Sequence, residues 1–179
     1  MDSKKTLILK DVLAYLSQGL IIPENNRLIG TEDESSTITG KCNDYIDNIC
    51  HVCLRGSIIY SALMKDRETF KDKDFQSYNY DAKLDDIIHF SNVEEYLVKE
   101  NIFTFKEFMI LEYIFENYWY DHAYKEFSPD ERDILSDAMY LLAHYHVTGK
   151  LEIIIKAAIE CGESITVNNI YKNIKNLTK

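Results

Sequence analysis

Between Ser91 and Glu131 the chain writes the same helix start three times. Ser91-Asn92-Val93-Glu94, Thr104-Phe105-Lys106-Glu107 and Ser128-Pro129-Asp130-Glu131 each place a hydroxyl three residues ahead of a carboxylate. In this capping box the hydroxyl accepts from the third helical amide and the carboxylate reaches back to the cap amide. Pro129 adds a first-turn residue whose missing N–H costs nothing there. These starts predict helices over 92–100, 105–120 and 129–147, with Thr148-Gly149 closing the last. Helices over 4–18 (stopped by Gly19), 150–161 (stopped by Gly162) and 167–177 (capped by Thr166) complete the pattern. Only two prolines and six glycines punctuate 179 residues, too few for an all-β fold.

The expectation is therefore an all-α fold, one compact domain over 1–179. About seven helices would pack around a central helix in the Cys42–Met64 stretch, CNDYIDNICHVCLRGSIIYSALM. A polar, acidic segment at 21–41 reads as a loop or a short hairpin through Arg27-Leu28-Ile29 and Thr37-Ile38-Thr39. Residues 65–83, charged and aromatic, read as a helix end and a loop.

The Cys42–Met64 stretch holds three of the four cysteines and His51. Two-residue spacing between Cys50 and Cys53 suits zinc, but a tetrahedral site needs a second ligand pair. Cys42 and the distant Cys161 do not form one. No metal is favoured; if one bound, Cys42, Cys50 and Cys53 would be its ligands. A redox pair requires the same spacing after a strand, opening a helix, whereas this pair reads as lying inside apolar helical sequence. On a helix, Cys50, Cys53, Ser57 and Ser61 form a ridge of small side chains, widened by Gly56, against which a second helix fits. Arg55 is the charge such a helix must explain. It reads either as a buried ion pair with a carboxylate or as an anion contact in a pocket with His51 and Tyr60.

Other chemistry is sparse. Glu112 and Glu116 lack the Glu-x-x-His partner of a di-iron bundle and read as a solvated face. His144 and His146 fall on different helix faces, and His146 suits a helix C-terminus. No phosphate loop, nucleophile elbow or catalytic triad is present, so no catalytic residue and no cofactor are assigned.

The charge excess is acidic: 30 Asp and Glu against 20 Lys and Arg, a net of -10. Phosphate backbones repel such a chain, which disfavours direct nucleic-acid binding. A protein partner with a basic surface is the complementary expectation. Its seat would be the aromatic–acidic cluster Tyr118, Trp119, Tyr120, Asp121, Tyr124, Glu126, Asp130 and Asp133. A homodimer is compatible with that aromatic content. No apolar run has the length of a membrane span and no secretory leader is evident, so a cytoplasmic protein with reduced thiols is expected.

The string Cys50-His51-Val52-Cys53-Leu54-Arg55-Gly56-Ser57 resembles a Cys-x-Val-Cys-x-x-Gly-Ala/Ser helix in small bacterial and bacteriophage helical proteins. In those an aromatic-rich helical segment follows, here Phe105 to Phe115. The resemblance covers about a third of the chain and implies a prokaryotic or phage origin but no activity. In a phage, an acidic binding protein of this kind would act in the host cytoplasm as an inhibitor of a nucleic-acid enzyme or a defence factor. Two alternatives stand beside it: a small-molecule or anion binder, or an enzyme, with its pocket near Arg55, and a zinc-stabilised module.

Overall fold

The computed structural model describes residues 1–25, 27–31, 41–81, 86–116 and 125–179; over 76–81 and 86–90 the backbone alone is described. Eight helices are present among these residues: α1 (Lys4–Ser17), α2 (Leu54–Lys65), α3 (Arg67–Phe70), α4 (Asn92–Lys99), α5 (Phe105–Glu116), α6 (Pro129–Leu142), α7 (Val147–Cys161) and α8 (Val167–Leu177). The fold is mostly helical but not purely so. Strands β1 (Ile21–Pro23), β2 (Ile29–Gly30) and β3 (Cys50–Val52) make a small mixed sheet in the order β1-β3-β2. In it β1 runs parallel and β2 antiparallel to β3. A second, antiparallel pair joins β4 (Gln76–Asp81), inside the 65–83 stretch read as a helix end and loop, to β5 (Asp86–Ser91) just beyond it.

The largest correction falls on the cysteine-rich stretch. It is not one helix but a 3-10 turn at Cys42–Asp44, the central strand β3, and only then α2. Cys53 is the N-cap, its sulfur accepting from the Gly56 amide at 3.4 Å. A thiol is a poor substitute for the usual Ser, Thr, Asp or Asn cap, so the sequence carries no visible start signal there. The small-residue ridge survives only in its second half. Ser61 Oγ donates to the Ile8 carbonyl of α1 at 2.8 Å, which marks where the two helix backbones approach closely. Gly56 serves a different neighbour: it faces the Leu28 carbonyl of the β1–β2 connection. That connection also accepts at the Arg27 carbonyl from the Cys53 amide (2.5 Å).

Of the hairpin expected within 21–41, Ile29 and Gly30 pair with β3, and the second arm, Thr37-Ile38-Thr39, lies outside the described residues. The helices read as 129–147 and 150–161 are both present, but the break between them falls earlier. α6 stops at Leu142, and α7 starts at Val147 with His146 as its N-cap, so Thr148 and Gly149 belong to a first turn. His146 thus sits at a helix N-terminus, the opposite end from the one expected.

All three capping boxes form. Ser91 and Glu94 exchange bonds at 2.9 and 3.1 Å, Thr104 and Glu107 at 2.8 and 3.1 Å, Ser128 and Glu131 at 2.9 and 3.2 Å. Two helices are buried almost all round: α2, with Leu54, Ile58, Ile59 and Leu63 fully enclosed, and α5, from Glu107 to Phe115. α1, α4 and α5 pack on α2, and α6 and α7 pack on α5. At about 1.5–3 kcal/mol for each large aliphatic side chain removed from water, these two helices supply a large share of the stabilising burial.

Candidate functional site

Among the described residues, the charges the core encloses fall into two clusters. Arg55 lies in the first turn of α2 and is shared by two carboxylates. Its Nε is 3.0 Å from Glu94 Oε1 and its Nη1 is 2.9 Å from Glu112 Oε2. The Glu94 side chain is 0% exposed, that of Glu112 10% and that of Arg55 19%. Glu94 is the same residue that closes the α4 capping box, where its other oxygen takes the Ser91 amide and hydroxyl. One cluster thereby joins α2, α4 and α5. Burial raises Glu112 from its ordinary carboxylate range, against the opposing pull of Arg55. Glu112 is therefore not on a solvated face, as its spacing with Glu116 had suggested.

The second cluster was not read from the sequence. Lys5 Nζ lies 2.6 Å from Glu107 Oε1 and 2.6 Å from the Glu163 carbonyl, and both side chains are 6% exposed. Glu107 also accepts from the Ile165 amide at 2.8 Å. The ion pair ties α1 and α5 to the α7–α8 connection. Its signal was half present, in the Thr104–Glu107 capping box; nothing in the sequence marks Lys5 as its partner. Beside it a cleft of about 290 Å³ is lined by Ser3, Lys4, Lys5, Glu100, Asn101, Ile102 and Glu163.

The three residues grouped around a pocket by sequence, Arg55, His51 and Tyr60, have separate partners. His51 Nδ1 pairs with Glu24 Oε2 at 2.9 Å, and Arg27 Nη1 reaches the same oxygen at 3.4 Å. The Tyr60 hydroxyl donates to the Asn48 carbonyl at 3.1 Å, its ring stacks edge-on against Tyr15, and burial pushes it up to about 12. None of the three lines the cleft at α1.

The cysteines also diverge. Cys50 faces the Asn48 and Tyr45 carbonyls, and Cys53 faces the Leu28 carbonyl. Cys42, Cys50 and Cys53 are buried. Cys50 and Cys53 do follow the strand-then-helix order of a redox pair. Burial, however, pushes the Cys53 thiol well up, overriding the helix N-terminus that otherwise favours a thiolate. Among the described residues no three His, Cys, Asp or Glu side chains converge as metal ligands.

Of the aromatic–acidic cluster, Tyr118, Trp119, Tyr120, Asp121 and Tyr124 lie outside the described residues. Glu126, Asp130 and Asp133 are exposed. With Asp130 and Asp133, Asp137 and Tyr140 extend the row along α6, opposite the buried Leu135, Ala138 and Leu142. Tyr140 is 76% exposed. No ion-pair partner of Asp130, Asp133 or Asp137 is found among the described residues. Glu131, by contrast, is held below its usual range by Lys106 at 2.9 Å.

Fold and charge layout define a mostly helical protein with a small mixed sheet, two buried ion clusters and an acidic outer helix. No family model, curated protein or solved structure matches the chain. Among the described residues no helix is long and apolar enough to cross a membrane.

Proposed function

We propose that this protein acts by binding another protein, through the outer face of α6. The observation that carries the reading is the row Asp130, Asp133, Asp137 and Tyr140, exposed and without counter-charges among the described residues. Carboxylates are the most strongly hydrated groups of a surface, and they add affinity only where a cation desolvates with them. An aromatic ring at the end of the row supplies the apolar contact that such an interface needs. The partner is basic: the chain's net charge of -10 repels acidic surfaces and steers cationic ones.

At 1.5 Å of rise per residue, the three aspartates are about 4.5 and 6 Å apart along the axis. That spacing is within about twofold of the 3.4 Å axial step between phosphates of one DNA strand. A basic nucleic-acid-binding groove is accordingly the kind of surface the row fits. Inhibition of a host nucleic-acid enzyme or defence factor is the form this takes if the chain is phage-encoded.

The test is affinity capture with the wild-type chain and with D130K/D133K/D137K, each first shown to be folded by circular dichroism. The wild type is expected to retain a basic protein that 0.5 M salt releases and that the triple variant fails to retain. Equal retention by both chains removes the proposal.

A further inference from the structure

Two buried carboxylates share one guanidinium in the cluster at the start of α2. Arg55 supplies one positive charge; Glu94 and Glu112 supply two negative ones if both are ionised. Side chains this enclosed make an uncompensated charge expensive, and two carboxylates at one site resist joint ionisation.

The donors are divided unequally. Glu94 takes two hydrogen bonds on Oε2, from the Ser91 amide and the Ser91 hydroxyl, at the positive end of α4, while its Oε1 meets Arg55 Nε at 3.0 Å as a charge contact without hydrogen-bond alignment. Glu112, mid-helix in α5, takes one donor, Arg55 Nη1, and none other among the described residues. The surrounding ionisable groups do not restore balance. From the α2 side comes the buried Cys53 thiol, and from α5 comes Glu116, a turn beyond Glu112 and itself beside Lys150 of α7. A neutral acid at Glu112 still accepts from Arg55 through its carbonyl oxygen, so protonation keeps the bond and removes the excess charge.

We propose that the Arg55–Glu94–Glu112 cluster is a proton-binding site, holding one proton on Glu112 in the folded protein near neutral pH, and that releasing it to solvent weakens the packing of α4 and α5 on α2. The unfolded chain binds no such proton above the ordinary glutamate range of about 4.3. The native state then carries one proton more than the unfolded state between that value and the Glu112 midpoint. Rising pH therefore lowers stability across this window, and the effect levels off above it.

The test is the carboxyl ¹³C shift of Glu112, assigned through bonds to its own backbone so that no variant need fold. It is expected at the protonated position at pH 6 and to move on the alkaline side of the other glutamates. A carboxylate shift already at pH 6 overturns the proposal. Alongside it, the folding constant of the wild type relative to Glu112→Gln is expected to fall toward tenfold per pH unit within the window. A ratio independent of pH between 5 and 8 overturns it as well.

Discussion

Gly56→Ala is the substitution whose sign the structure reverses. At an ordinary helix-interior position, alanine in place of glycine stabilises by about 0.5–1 kcal/mol, through helix propensity and a less flexible unfolded chain. At Gly56 a Cβ would overlap the Leu28 carbonyl oxygen, lie 2.6 Å from the carbonyl carbon and 3.4 Å from Val52 Cβ. Carbon atoms in comfortable contact sit about 3.5–4.0 Å apart, so the Leu28 carbonyl carbon would have to retreat by about 1 Å and its oxygen by more. That backbone is held on both sides. Arg27 accepts from the Cys53 amide, and Ile29 and Gly30 pair with β3, with Ile29 3% exposed.

Losing two of these hydrogen bonds costs about 1 kcal/mol each, and partial exposure of Ile29 adds on the order of 1 kcal/mol. The net expectation is a loss of about 2–4 kcal/mol, in line with overpacking elsewhere. Urea unfolding followed by tyrosine fluorescence measures it. Gly149→Ala is the internal control. It lies in the first turn of α7, where the nearest atom to a new Cβ is Tyr145 Cδ1 at 3.8 Å, an ordinary contact. That variant should match or exceed the wild type. A Gly56→Ala protein as stable as Gly149→Ala would refute the close approach of Leu28 to α2.

Further outcomes follow from the buried charges and thiols. Arg55→Met leaves Glu94 and Glu112 enclosed without a cation and should cost about 3–5 kcal/mol in chemical unfolding. Glu107→Ala strands the buried Lys5 amine and the Ile165 amide and should cost a similar amount, seen as a lower unfolding midpoint. Burial pushes Cys42 and Cys161 up to about 11 and Cys53 higher still. A thiol reagent at pH 8 should therefore reach the half-buried Cys161 first, slowly, and the other three at the rate of unfolding, as peptide mapping over time would show. Because Cys50 and Cys53 face separate backbone carbonyls and no three potential ligands converge among the described residues, a strong chelator should leave the melting temperature unchanged.

The helices were legible because their signals are local. Each capping box depends on two residues three apart, and all three formed where the sequence put them. What was missed depended on distant partners. β3 is three residues, Cys50-His51-Val52, too short for its period to separate strand from helix. It becomes a strand because Ile21–Pro23 and Ile29–Gly30 flank it. β4, with Tyr78 and Tyr80 in alternation, was obscured by the charged residues around it and is defined by its pairing with β5. The Arg55 anomaly was visible as a lone charge in an apolar run. Its partners were not, since Glu94 lies 39 residues on and Glu112 57 residues on. Gly56 looked like a place for a helix to approach; a loop carbonyl took it instead.

The account of function rests on the outer face of α6. Hydrogen exchange of the chain, free and saturated with its captured basic partner, examines that face residue by residue. The account predicts slowed exchange concentrated between Pro129 and Tyr145, and its loss in D130K/D133K/D137K. Protection centred on the Ser3–Lys5 and Glu163 cleft, with α6 unchanged, would contradict it.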